Sequence, residues 1–178
     1  MSKASVKFAV TRLPDTASIP GICAQLDALS ASRWIDRRKQ SINRGIRGEV
    51  GRYHSAGHRS LPEPLRNSIL SLAPNPGGCD LVEFVVNRYE ADDFIPRHAD
   101  IAYSTYFEVL SLQDSESRLR IWDDSGENVM ADVQDKLGQV VQIFEPGLIH
   151  DVPEVFQRRH VVIFLYQGNP ICRPQPQF

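Results

Sequence analysis

The sequence predicts a mainly β fold with N-terminal helices, a jelly roll or double-stranded β-helix. Three observations carry that prediction. From residue 81 to residue 166, β-branched and other apolar residues gather into short runs. Turn clusters such as Asp123-Asp124-Ser125-Gly126 and Glu145-Pro146-Gly147 separate those runs. Ahead of them lie two stretches with helical rather than alternating spacing. One or two helices followed by roughly eight strands suit two sheets with helices laid on one of them.

The elements follow in order. Residues 6–10 read as a short strand. Residues 19–29 read as a helix, with Ile22, Leu26 and Leu29 on one face. Pro20 falls in its first turn, where a missing N–H costs nothing, and Ser18 is placed to cap it. Periodicity is then lost. Residues 33–60 form a basic, lid-like segment with eight Lys/Arg against Asp36 and Glu49. Trp34 and Tyr53 are interleaved in it, and His54 and His58 read as loop residues. Residues 62–72 read as a second helix, with Leu65, Ile69 and Leu72 on one face, ended by Pro74-Asn75-Pro76-Gly77-Gly78. Strands are expected at 81–89, 94–98, 107–112, 118–122, 128–133, 139–144 and 159–166. Residues 168–178, rich in Pro and Gln, read as a loose tail. The whole, residues 1–178, is expected to be one domain with a sizeable core.

Composition narrows the function classes. The formal net charge of −2 gives no bulk attraction to nucleic acid, so any such attraction has to be local. Cys23, Cys79 and Cys172 form neither a disulfide framework nor a zinc pattern, which suits a reducing, cytoplasmic setting. No apolar signal region follows the N-terminus, and no apolar run is long enough to span a bilayer, so no membrane association is expected. Oligomeric state leaves no signature.

The chemistry concentrates in His98-Ala99-Asp100, with His150 and Arg159 downstream. Residues i and i+2 of a strand point to one side, so His98 and Asp100 can aim together into a barrel. Two His and one carboxylate hold one face of a metal and leave the other positions open, the ligand set of non-heme Fe(II) oxygenases. An arginine offers a planar, bidentate partner for a carboxylate co-substrate. His160 competes with His150 for the distal ligand position. His150 is preferred because Arg159 follows it by nine residues, and no Lys or Arg follows His160 at that distance. His160 is then expected on the opposite strand face from Arg159, as a packing or surface residue.

Asn87-Arg88-Tyr89 followed by His98-x-Asp100 resembles the motif of the AlkB family of Fe(II)/2-oxoglutarate dioxygenases. Val109-Leu110-Ser111-Leu112 is similar to the family's apolar-Ser-Leu strand. Upstream, Gly51-Arg52-Tyr53, Ser55-Ala56-Gly57 and Pro62-Glu63-Pro64-Leu65 are similar to its weaker landmarks, so the resemblance spans residues 44–166. It implies Fe(II) on His98, Asp100 and His150. It implies 2-oxoglutarate bound through Arg159, Asn87 and Tyr89, with O2 as the oxidant and succinate and CO2 as products. The implied reaction is oxidative demethylation or hydroxylation of a nucleic-acid base, single-stranded or flipped. The family's segment before the barrel covers the nucleotide. Arg37, Arg38, Lys39 and Arg44 would then meet phosphates, and Trp34 and Tyr53 would stack on bases.

Three departures stand out. The turn after Tyr89 is Glu90-Ala91-Asp92-Asp93, where the family often has glycine. Leu165 occupies the place of a further arginine of bacterial AlkB-type enzymes. The interval from His150 to Arg159 is short, and His150-Asp151-Val152-Pro153-Glu154-Val155 resembles the C-terminal motif of prolyl hydroxylases. That keeps a protein or amino-acid hydroxylase as the alternative. A non-catalytic jelly-roll binding module is a third reading.

Overall fold

An uninterrupted apolar strand needs a packed layer on each side. The run from Arg159 to Gly168 obtains both in the computed structural model, which describes residues 6–39, 45–74, 76–100, 104–145 and 147–168. The strands are β1 (Phe8–Arg12), β2 (Ile35–Asp36), β3 (His54–Gly57), β4 (Cys79–Tyr89), β5 (Ile95–His98), β6 (Tyr106–Ser111), β7 (Arg118–Trp122), β8 (Val129–Gln134), β9 (Gln139–Ile143), β10 (His150–Val152) and β11 (Arg159–Gly168). The helices are α1 (Ile19–Asp27) and α2 (Glu63–Leu70). Among the described residues, no helix is long and apolar enough to cross a membrane. Arg44 and the tail beyond Gly168 lie outside the described residues.

The strands form two antiparallel sheets. The major sheet runs β1-β9-β6-β11-β4-β3-β2 and the minor sheet β5-β10-β7-β8. This is the jelly roll that the sequence predicts, with both helices on the outer face of the major sheet. Side chains divide by parity along the central strands, as the pleat requires. Phe84, Val86, Leu110, Val162 and Phe164 pack against Ile19, Ile22, Leu26, Leu65 and Ile69 of the helices. Phe107, Val109, Val161 and Leu165 face the other way and join Leu119, Ile121 and Val152 of the minor sheet. Each fully buried Leu, Ile, Val or Phe contributes roughly 1.5–3 kcal/mol, so both layers are needed.

The helix-side layer also buries a carboxyl group. Glu108 is 0 % exposed. The Tyr106 hydroxyl donates to it, Gln142 Nε2 donates to Oε1 at 2.9 Å, and the Tyr166 hydroxyl lies 3.4 Å from Oε2 while donating to Pro74 O at 2.6 Å. Burial pushes the Glu108 carboxyl up from its ordinary range; the hydrogen bonds from Gln142, Tyr106 and Tyr166 oppose that rise without cancelling it.

The basic segment is more ordered than the lost periodicity predicts. Ser55↔Asn87 and Ala56↔Val86 pairing adds β3 to the major sheet, and β2 pairs with β3. His54 is therefore a strand residue and His58 lies in a 3-10 turn 3.7 Å from Glu83, which corrects the reading of both as loop residues. Residues 45–52 cross to the minor sheet: Ile46 N donates to Arg97 O, and Arg52 bridges Phe94. The segment thus ties the two sheets together along one side of the barrel.

Candidate metal centre and co-substrate pocket

Antiparallel pairing of β5 with β10 places His98 directly opposite His150. Their ring centroids are 4.3 Å apart. Asp100, two residues past His98, returns to the same side. His98 Nε2 lies 3.7 Å from Asp100 Oδ1, and His150 Nε2 lies 3.5 Å from Asp100 Oδ2. One ligand atom from each of the three residues falls within 4.8 Å of the others.

Both imidazoles are aimed by their other nitrogen. His98 Nδ1 lies 2.8 Å from Pro96 O, and His150 Nδ1 lies 3.0 Å from Leu148 O. A carbonyl accepts only, so each Nδ1 carries a proton and each Nε2 faces Asp100. Such backing of ligating histidines by an outer acceptor is the usual arrangement around a bound metal. Burial, and then the neighbouring His150, push His98 down to about 4. Burial works against protonation of His150 too, but the hydrogen bond and charge of Asp100 outweigh it and the net direction is up. Asp100 is raised by burial and lowered more strongly by the two histidines, so it stays a carboxylate. Two nitrogen donors and one anionic oxygen on one side of a cavity fit a divalent cation such as Fe(II).

The turn that brings His98 back needs one residue in the left-handed region. Asp92 takes it, at φ 69°, and among the described residues it is the only non-glycine residue with positive φ. Asp tolerates that conformation better than most residues.

The cavity between the sheets has a volume of about 250 Å3. Beyond His98, Asp100 and His150 its polar lining includes Asn87, Tyr89 and Arg159. Register explains the grouping, since Arg159 of β11 lies opposite Tyr89 of β4 and Val161 opposite Asn87. Arg159 is 1 % exposed, and its guanidinium lies over the Tyr89 ring, 4.9 Å from the centroid. Its Nε donates to Asp135 Oδ2 at 2.5 Å and its Nη2 to Asp135 Oδ1 at 3.0 Å. Its Nη1 is buried without a hydrogen-bond partner. A buried unpaired guanidinium N–H is costly, and an anionic ligand in the cavity would satisfy it. Burial holds the Tyr89 phenol up at about 12, with the Arg159 charge opposing, so Tyr89 keeps its proton as a donor. Asn87 Nδ2 donates toward the Tyr89 hydroxyl at 3.5 Å. Asp135 was invisible to sequence reasoning, because an isolated Asp before Lys136-Leu137-Gly138 reads as a turn residue.

The expected substrate contacts divide. Arg37 and Tyr53 line the cavity, Tyr53 stacked on Tyr89 at 5.7 Å. Arg37 Nε donates to Ser55 Oγ at 2.6 Å. Arg38 is exposed and pairs with Asp36 through Nε at 2.9 Å and Nη2 at 3.0 Å. Lys39 closes the short 3-10 turn Arg37–Lys39. Trp34 is not at the cavity. It is buried on the helix side of the major sheet, 6.0 Å from the His160 ring and under the Arg88 guanidinium. The expectation of a stacking platform at Trp34 is corrected on that ground, since its faces are already taken by neighbouring strands. His160 lies there too, buried and on the opposite face from Arg159 as expected.

No protein-family model matches the chain, and no curated protein does. Solved structures do. The α-ketoglutarate-dependent epimerase SnoN from nogalamycin biosynthesis is 12% identical with a TM-score of 0.67, over 92% of this chain and 78% of that one. It has also been solved in complex with Fe3+, α-ketoglutarate and nogalamycin RO. A Pseudomonas putida prolyl-4-hydroxylase is 15% identical with a TM-score of 0.64, over 93% of this chain and 95% of that one. A Trichoplax adhaerens prolyl hydroxylase, solved with a hypoxia-inducible-factor peptide fragment, is 12% identical with a TM-score of 0.59, over 90% and 83%. The shared feature is the jelly-roll fold of Fe(II)/2-oxoglutarate oxygenases.

Proposed function

We propose that this protein is an Fe(II)/2-oxoglutarate-dependent dioxygenase that demethylates or hydroxylates a nucleic-acid base, forming succinate and CO2. One observation carries the oxygenase reading: the His98–Asp100–His150 cluster and Arg159, whose Nη1 is unpaired, line one cavity. His98, Asp100 and His150 would hold Fe(II). Arg159, with Asn87 and Tyr89, would bind 2-oxoglutarate and fix its orientation before oxygen enters. Bound iron supplies the oxygen activation, which no side chain here can provide. The protein's own part is geometric. Val85, Val109, Leu119 and Ile163 make much of the remaining wall apolar and limit water around the reacting atoms.

The base reading is supported by Arg37 and Tyr53, which bring a cation and an aromatic ring from the basic segment to the cavity. At about 250 Å3 the cavity lies below the usual range of pockets that enclose a whole ligand. It suits a co-substrate plus one projecting group of a larger molecule, such as a flipped base. A second reading, hydroxylation of a protein or amino acid, is favoured by the nearly end-to-end likeness to a prolyl-4-hydroxylase. Both share the projecting-group geometry.

Succinate formation by the Fe(II)-loaded protein decides between them. It is measured with single-stranded oligonucleotides carrying N-methyl or C5-methyl bases, and with proline-containing peptides. Oligonucleotide-stimulated turnover, with loss of a methyl mass or gain of one oxygen, is the expected result. Stimulation by peptide alone replaces the base reading with the second, and no succinate under any condition refutes both.

A further inference from the structure

Asp135 sits just beyond β8 and is 2 % exposed. Its backbone is fixed by Asp135 N donating to Ser117 O at 3.0 Å and Ser115 N donating to Asp135 O at 3.3 Å. Each carboxylate oxygen accepts two bonds. Oδ1 takes Ser111 Oγ at 2.9 Å and Arg159 Nη2 at 3.0 Å. Oδ2 takes Ser115 Oγ at 3.0 Å and Arg159 Nε at 2.5 Å. The carboxylate is fully satisfied and cannot rotate without losing bonds.

A guanidinium has five N–H groups on a rigid planar fork. Asp135 takes the Nε–Nη2 edge and leaves the Nη1 end unpaired, on a residue that lines the cavity. We propose that Asp135 is a positioning residue for the co-substrate clamp. It holds one edge of Arg159, so the distal carboxylate of the co-substrate is received end-on by Nη1, beside Tyr89. Ser111 and Ser115 in turn hold Asp135. This rests on the dioxygenase reading and adds to it the residue that sets the angle of the arginine. It also gives a function to Ser111 of the apolar-Ser-Leu strand, whose hydroxyl touches the carboxylate rather than the cavity ligands.

The test is anaerobic calorimetry of the Fe(II)-loaded protein with two 2-oxo acids. One is 2-oxoglutarate. The other is 2-oxopentanoate, which has the same chelating head and chain length and a methyl in place of the distal carboxylate. In Asp135→Asn, 2-oxoglutarate binding should weaken by about 10–100-fold, the usual effect of removing an outer partner. Binding of 2-oxopentanoate should stay at its wild-type value. Should Asp135→Asn not fold, Ser111→Ala/Ser115→Ala removes only the two hydroxyls, and the same selective loss is expected. Equal losses for both acids, or an unchanged 2-oxoglutarate affinity, would overturn the positioning role. A wild-type protein that binds 2-oxopentanoate as tightly as 2-oxoglutarate would overturn the clamp itself. One that binds neither would overturn the dioxygenase reading.

Discussion

Breaking the Arg159–Asp135 pair should unfold the protein more readily than any surface substitution, and the two single breaks should differ. Both side chains are nearly solvent-free, at 1% and 3% exposure, and two hydrogen bonds of 2.5 and 3.0 Å join them. Removing one partner of such a pair strands the other charge and costs about 3–5 kcal/mol. Asp135→Asn keeps the shape and one acceptor, so about 3 kcal/mol is expected, the low end of that range. For a chain of this size that lowers Tm by roughly 6–12 °C. Arg159→Leu should cost less. The carboxylate it strands keeps Ser111 and Ser115 as donors, and a carboxylate can be neutralised by a proton whereas a guanidinium cannot. The double variant has no stranded charge and should recover much of the loss, with a coupling energy of about 2 kcal/mol. Urea unfolding of the metal-free protein, without any 2-oxo acid, measures all four. Single variants within about 0.5 kcal/mol of wild type, the usual range of surface changes, would refute the reasoning. So would a double variant whose loss equals the sum of the two.

Three further perturbations probe other parts of the molecule. His98→Ala or Asp100→Ala should abolish tight Fe(II) binding in anaerobic calorimetry, and wild-type affinity in either would remove that residue from the ligand set. Glu108 is raised by burial, so it adds stability at low pH that is lost as pH rises through its elevated value. Glu108→Gln should flatten that part of the Tm–pH curve, and an unaltered curve would refute a protonated Glu108. Trp34→Ala should cost about 3–5 kcal/mol as a core truncation while leaving oligonucleotide affinity intact. Arg37→Ala should do the reverse, reducing the log–log salt slope of single-stranded oligonucleotide binding by about 0.7; an unchanged slope would take Arg37 away from any phosphate.

What was legible in the sequence was whatever has a period or a spacing. The seven strands expected between residues 81 and 166 are present as β4 to β9 and β11, with ends moved by a residue or two. Both helices are present, and both end a residue or more earlier than their apolar spacing suggests. The first strand starts two residues later than expected, at Phe8. The missed strands had no pattern to read. His54-Ser55-Ala56-Gly57 is small and polar, and becomes β3 because the β4 backbone is there to pair with. His150-Asp151-Val152 is too short to alternate. The candidate metal cluster was legible because strand geometry puts His98 and Asp100 on one side. Asp135 was not, since its partner lies 24 residues away and only the fold brings them together. Trp34 misled for the opposite reason: an aromatic inside a cationic run looks like a stacking surface until Arg88 and His160 are seen to cover it.

The two-faced strand β11 makes this enzyme candidate sensitive to length in a way that it is not sensitive to identity. Arg159 and His160 are adjacent, one in the cavity wall and one against the helices. A slip of a single position along β4 and β6 would send the arginine into the helical layer and a neutral imidazole into the cavity, and would invert every apolar contact behind them. The connection from Val152 to Arg159 therefore acts as a ruler. The exposed Phe156 can be exchanged, whereas Val155 is buried, and adding or deleting a residue would put the chain out of frame with its own chemistry.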